Sequence, residues 1–283
     1  LHHIAVGQGE DDAGDPAAVC QDAATTEQIR SATMSSTHAR SWGPDEAAAI
    51  YELGRPDYPD ALTTLLRDEI GLGPSSLVAD VAAGTGKLTR VLATGPFALV
   101  AVEPMAGMRA QLGRAVPGIP RVAGTAEQLP LRDGCVAAVT VAQAFHWFRV
   151  DEASRELRRV LAPGGTLALI NNTRAAGDTL SRRLWEILRS FEHLAPRPES
   201  TQGWRARLDR AGDFVHWRTF ELPHDQVMHT PEELEARFTS ISFVLLLNDP
   251  DRARLTTALH RAAGDEYPIR LPLKTVVELG SRA

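Results

Sequence analysis

Cysteine is almost absent from this chain of 283 residues: only Cys20 and Cys135 occur. Neither lies in a C-x-x-C pair, so no disulfide framework, thiolate metal site or bound metal is expected. Cys135, in an apolar stretch, reads as a buried small hydrophobe. Long apolar runs are missing too. None approaches the roughly 18 residues a membrane span needs, and no signal-peptide pattern is seen. Cytoplasm is therefore the expected compartment. Positive charge is in deficit, with 30 Lys and Arg against 36 Asp and Glu, net -6, and no basic stripe. That argues against a nucleic-acid or membrane partner and leaves a small-molecule substrate. The oligomeric state is left open. Large apolar residues are scarce over residues 1–40, which are expected to form a disordered extension. Met34-Ser35-Ser36-Thr37 would make an ordinary start, so the natural product is expected to begin at Met34 or to carry residues 1–33 as an extension. Residues 41–283 are expected to form one domain.

What is present is an alternation of strand and helix patterns. Short apolar runs stand at Leu77 to Val81, Ala98 to Val102, Arg121 to Ala123, Val136 to Val141 and Thr166 to Ile170. Helix-period segments separate them. Asp45 to Arg55 leads to a helix capped by Asp60 with the stripe Leu62, Leu65, Leu66 and Ile70. A helix runs from Gly84 to Ala93. Another has Pro104 in its first turn and carries Met105, Met108 and Leu112. A further one spans Asp151 to Leu161 and is stopped by Pro163-Gly164-Gly165. Five strands joined by helical crossovers imply a parallel sheet covered on both faces. After Asn172 the pattern changes. A helix from Asp178 to Leu194, a Pro-rich break at Ala195 to Ser200, a short helix at Trp204 and Leu208, and a strand from Val215 to Leu222 follow. A capped helix start at Thr230 runs toward Leu247, then come a helix from Asp249 to Ala263 and a strand from Thr275 to Leu279. Residues 176–263 hold more helix than one crossover needs and are expected to contribute a substrate cap.

The chemistry-bearing stretch is Asp80-Val81-Ala82-Ala83-Gly84-Thr85-Gly86-Lys87, between the first strand and its helix. Small residues let a nucleotide-like ligand approach the backbone, and free N–H groups are expected to point out of the turn. It lacks the third glycine of a dinucleotide fingerprint, because Lys87 and Thr89 stand where that glycine belongs. It also lacks the Ser or Thr of a phosphate loop after Gly86-Lys87. Glu103 ends the next strand, where a carboxylate accepts hydrogen bonds from two vicinal ribose hydroxyls. Gln143-Ala144-Phe145-His146-Trp147-Phe148 follows the fourth strand and places aromatics at the mouth of a pocket.

Six ordered pieces together resemble the class I S-adenosylmethionine-dependent methyltransferases. They are Tyr51 to Pro59, Asp80 to Gly86, Val102-Glu103-Pro104, Gly124 to Pro130, Ala142 to Phe148, and Arg159 to Gly165. The resemblance is nearest the small-molecule branch that includes trans-aconitate methyltransferase-like proteins. It implies a Rossmann-like, mostly parallel seven-stranded sheet with helices on both faces and a helical cap inserted after strand five. It implies S-adenosyl-L-methionine as cofactor and O-methylation of a small-molecule carboxylate or hydroxyl. By the same resemblance Asp80, Ala82, Gly84, Thr85 and Gly86 hold the methionine part. Glu103 takes the ribose hydroxyls, Met105 packs on the adenine, and Ala126 and Glu127 lie at the adenine edge. Gln143, His146 and Trp147 stand between cofactor and acceptor, with His146 the catalytic base where one is needed. Tyr51 and Arg55 close over the cofactor. The chain departs from the family at Ala82, where glycine is usual and whose methyl fits a negative φ, and at Thr125, where Asp is usual and a hydroxyl can still meet the adenine amine. A second reading is a protein of this fold that binds the cofactor or another ligand without methyl transfer.

Overall fold

A computed structural model describes residues 45–195 and 203–283, with side chains from residue 50 onward in the first helix. The expected N-terminal extension, the Met34 start and most of the Pro-rich break lie outside the described residues. In chain order, α1 (Asp45–Gly54) and α2 (Ala61–Ile70) precede β1 (Leu77–Val81). Then come α3 (Lys87–Leu92), β2 (Ala98–Val102), α4 (Ala106–Ala115), β3 (Arg121–Val122), β4 (Val136–Ala142), α5 (Val150–Val160) and β5 (Leu161–Arg174). The rest is α6 (Thr179–Ser190), α7 (Trp204–Ala211), β6 (Phe214–Met228), α8 (Pro231–Thr239), α9 (Asp249–Ala263) and β7 (Ile269–Arg282).

The seven strands form one sheet in the order β3-β2-β1-β4-β5-β7-β6. The first five strands run parallel, and β7 lies antiparallel between β5 and β6. The family-like, mostly parallel α/β sheet is thus present. Every residue of β1 is buried, as the apolar run requires of a strand covered on both faces. Side-chain alternation divides it. Leu77, Ala79 and Val81 join the cluster under α5 and α7, with Leu157, Val160 and Leu208. Val78 joins Leu62 and Leu66 of α2 and Leu88 and Leu92 of α3 on the other face. Leu184, Trp185 and Leu188 of α6, Leu234 and Phe238 of α8, and Leu255 and Leu259 of α9 make a separate cluster. That cluster is built from two insertions, one before β6 and one after it, while α7 packs on the sheet.

Several expected boundaries move. Residues Pro163 to Gly165 fall inside the start of β5, because the helix before them already ends at Val160. Strands β5, β6 and β7 are longer than expected, since the β6–β7 hairpin continues to Met228 and Ile269 beyond the parallel strands. Pro104 precedes α4, whose N-cap is Met105. The helix starting at Thr230 ends at Thr239, not Leu247, and α3 begins only after Gly86. Asp60 precedes α2 without a side-chain cap bond. The Thr230 cap does form, its hydroxyl accepting from the Glu233 N–H at 3.3 Å. Cys135 is half-buried just before β4 and is disulfide-bonded, where a buried thiol was expected. No helix among the described residues is long and apolar enough to cross a membrane.

Candidate active site

The carboxyl ends of β1, β2, β4, β5 and β6 share one edge of the sheet, the edge where open α/β folds bind ligands. Between β1 and α3 the chain turns through Ala82, Gly84 and Gly86, at φ 57, 59 and 89. All three are left-handed. Glycine adopts that region freely, whereas the Ala82 methyl makes it about 1 kcal/mol costlier. The negative φ under which a methyl fits that position is therefore not the one Ala82 adopts. The sharp reversal out of β1 sets the sign, and the Ala83 N–H locks it by donating to the Val102 carbonyl at 3.2 Å. The turn's N–H groups were expected to point at a ligand. Instead Gly84 donates to Glu103 Oε2 at 2.9 Å and Gly86 to the Ala83 carbonyl at 3.0 Å. What the turn offers is room, because a Cβ on Gly84 would meet nothing within 4 Å.

Glu103 reaches the turn through that Gly84 bond and is 5% exposed. Its Oε1 accepts from the Met105 N–H at 2.9 Å. The nearby Arg109 guanidinium binds the carbonyls of Glu103 and Pro104, at 2.7 and 2.6 Å, and not the carboxylate. Burial pushes the Glu103 carboxyl up to about 7 against the pull of the Met105 and Gly84 N–H groups and Arg109. Each oxygen holds one backbone bond and keeps a second lone pair. A buried carboxylate with spare acceptor capacity, bonded to the glycine turn, fits the diol of a ribose-bearing cofactor.

Asp80 is placed differently from its expected contact with the methionine part. It is fully buried beneath the turn, its two oxygens accepting from the Thr89 hydroxyl at 2.6 Å and the Thr140 hydroxyl at 2.9 Å. It braces α3 and β4 against β1. Burial pushes its carboxyl up to about 6, opposed by the two hydroxyls.

The N-terminal segment closes over the turn through charge. Glu52 accepts from the Thr85 hydroxyl at 2.7 Å and pairs with Arg90, while Lys87 pairs with Asp57 at 2.8 Å. Tyr51 packs with Met105, Met108 and Leu245. Burial raises its phenol, Arg55 lowers it, and the Glu103 charge adds to the rise, so the ring stands near the buried carboxylate. Burial also raises the buried Tyr58 phenol well above its ordinary value, with Tyr51 and Asp80 adding to it. Arg55 lies 5.3 Å from the centroid of the Tyr51 ring and donates to the Ser240 carbonyl at 2.9 Å. Gly54 lets α1 meet α8, because a Cβ there would lie 1.9 Å from the Ala236 carbonyl oxygen.

On the opposite side Thr125 bridges to Gln128, and Ala126 is buried in the sheet's core. Glu127 accepts from the Arg149 N–H at 2.9 Å, so its carboxylate braces the start of α5. At the end of β4, Gln143 has a φ of 55 and donates through Nε2 to the Asn172 carbonyl at 2.9 Å. His146 and Trp147 are half-buried on a single turn, their rings 4.9 Å apart. Phe145 anchors that turn against Phe148 and Trp204, at 5.3 Å each.

Sequence reasoning missed Glu52, Tyr58, Lys87, Asn172 and Arg237. Asn172 donates to the Asp57 carbonyl at 3.2 Å and accepts from Thr275 at 2.6 Å, tying the lead-in to β5 and β7. Arg237 carried a signal: with Leu234 and Phe238 it stands at three- and four-residue spacing on the apolar face of its helix. A cleft of about 410 Å³ opens between the lead-in and the end of β6, lined by Glu52, Arg55, Lys87, His224, Gln226 and Glu233 among others.

A family model described as a methyltransferase domain matches residues 79–169. An uncharacterised methyltransferase-like protein of Schizosaccharomyces pombe is 34% identical over 217 residues, 76% of this chain and 83% of that protein. A malonyl-[acyl-carrier protein] O-methyltransferase of Geobacter sulfurreducens is 34% identical over 178 residues, 57% of this chain and 63% of that protein. A solved structure described as a type II methyltransferase, from Anaeromyxobacter dehalogenans, aligns with a TM-score of 0.58 at 24% identity, over 81% of this chain and 97% of that one. At that identity the likeness speaks for the fold.

Proposed function

Because the chain belongs to the class I S-adenosylmethionine-dependent methyltransferases, we propose that it methylates an oxygen, carboxylate or hydroxyl, of a small-molecule acceptor. The observation that carries this reading of the cofactor's place is the buried Glu103 carboxylate, which accepts from the Gly84 N–H of the glycine turn and keeps spare acceptor capacity. In this reading Glu103 takes the ribose hydroxyls. Ala82, Gly84, Thr85 and Gly86 border the methionine part, with Asp80 holding the turn from beneath. Met105, Thr125 and the Ala126 backbone border the adenine, and Glu127 steadies that edge through α5. Tyr51 and Arg55 cover the cofactor from the N-terminal side.

S-adenosylmethionine, when bound, supplies a methyl group on a sulfonium, already a strong donor. The chain's task is to align the acceptor oxygen and exclude water. Gln143, His146 and Trp147 stand at the end of β4 for that purpose. A carboxylate has no proton to lose and needs no base. A hydroxyl does, and His146 is then the base. The malonyl O-methyltransferase relative supports an oxygen acceptor. The cleft beside Arg55, within the range of small-ligand pockets, supports a small one.

Calorimetry with the demethylated product, S-adenosylhomocysteine, tests the site. Binding is expected, and Glu103→Ala should weaken it by more than about 1 kcal/mol, the scale of a lost charged hydrogen bond. Absence of binding by cofactor and product alike refutes the assignment. Labelled turnover with a metabolite extract then separates the acceptors, since a methyl ester is cleaved by hydroxide and a methyl ether is not.

A further inference from the structure

An arginine taken out of water ordinarily meets an acid. Two here do not, among the described residues. Arg237 on α8 is 6% exposed and leaves its Nε and Nη1 without partners. Arg109 on α4 is half-buried, and its case points to function, because an acid lies within its field. Its charge favours the ionised form of Glu103. Yet its Nη1 donates to the carbonyls of Glu103 and Pro104, at 2.7 and 2.6 Å, and not to the carboxylate.

That arrangement decides what the carboxylate can still accept. A guanidinium forked onto Glu103 would take both oxygens with two parallel bonds. As built, Oε1 and Oε2 each carry one backbone N–H, from Met105 and Gly84, and each keeps a lone pair. The carbonyl bonds also hold the backbone. The turn between β2 and α4 has little else to fix it: Met105 heads α4 without a side-chain cap, and Pro104 has no N–H to give. The Glu103 N–H donates to the Val122 carbonyl at 3.1 Å, which holds the peptide plane before Glu103. Arg109, anchored in α4 by its own N–H on the Met105 carbonyl at 3.0 Å, holds the plane after it. With both planes held, the direction in which the Glu103 side chain leaves the backbone is set.

We propose that Arg109 is a positioning residue for cofactor binding: by clamping the β2–α4 turn through its carbonyls, it presents the Glu103 carboxylate with both oxygens open to the ribose hydroxyls. The inference rests on the placing of the ribose at Glu103. The Arg109 charge acts in the same direction, since only the ionised carboxylate accepts from both hydroxyls. Of the other ionisable groups about it, Asp80 on β1 favours the neutral acid, and Tyr51 on α1 is a phenol that burial keeps uncharged.

The test is calorimetric titration of the full chain with S-adenosylhomocysteine, from near pH 6 to near pH 9. Wild-type affinity should rise with pH and level off above about 7. Arg109→Met should bind about tenfold more weakly near pH 7 and level off at a higher pH, because the carboxyl has lost a favourable charge. Arg109→Lys keeps the charge and a donor, so it should restore the wild-type levelling point and most of the affinity. A purely structural staple behaves otherwise: Arg109→Met then loses Tm and affinity with its levelling point unmoved. That outcome overturns the proposal, as does wild-type affinity in Arg109→Met, or a levelling point that Arg109→Lys does not restore. Should Arg109→Met not fold, Arg109→Gln, which keeps a donor without the charge, is read in its place by the same displacement. Wild-type affinity that is flat or absent removes the ribose from Glu103, and this proposal with it. A sloped wild type whose Arg109 variants share its levelling point refutes the positioning role alone and leaves the ribose at Glu103.

Discussion

If Glu103 binds the ribose hydroxyls, cofactor binding must expel a proton near neutral pH. Burial holds this carboxyl at about 7 in the ligand-free protein. It is thus about nine-tenths protonated near pH 6 and about one-tenth near pH 8. A protonated acid offers a donor on one oxygen and cannot accept from both hydroxyls, so binding selects the carboxylate and lowers its pKa. Affinity must rise with pH. S-adenosylhomocysteine should bind about tenfold more tightly near pH 8 than near pH 6, or about 1.4 kcal/mol, with most of one proton released at the acid end. Calorimetry in two buffers of different ionisation enthalpy reads both quantities. Asp80, raised to about 6 beneath the turn, titrates nearby, and Glu103→Gln separates the two: its binding should lose the slope. Wild-type affinity that is flat across this range refutes the reasoning, as does a slope that survives in Glu103→Gln. The same burial acts on the fold with the opposite sign. The ligand-free fold binds this proton more tightly than the unfolded chain does, so stability falls as pH rises from 4.5 to about 7. At about 1.4 kcal/mol for each tenfold, the full cost is about 3 kcal/mol.

Ala82→Gly should stabilise the protein by about 0.5–1 kcal/mol in urea unfolding, because relief of the left-handed strain outweighs the added freedom of the unfolded chain; a loss of stability contradicts the strain argument. Gly54→Ala puts a methyl 1.9 Å from a backbone oxygen of α8. It should cost about 2 kcal/mol or more and weaken product binding, since α1 carries Tyr51; an unchanged unfolding midpoint would show that α1 and α8 do not need this contact.

Chain order and local pattern were enough for the sheet edge. The apolar runs of β1, β2 and β4 are short, mostly buried and bounded by turn residues, so periodicity alone placed them and put Glu103 and the His146 turn at their carboxyl ends. Long-range pairing set the rest. The register of β5, β6 and β7 depends on a hairpin partner more than forty positions away in sequence, which no local signal carries. The positive φ of Ala82, the threonines that take Asp80, and the diversion of Glu127 to α5 come from neighbours brought in by the fold. So does the isolation of Arg237. Its place on an apolar helix face was legible from Leu234 and Phe238, but only packing shows that a buried charge has been left without an acid.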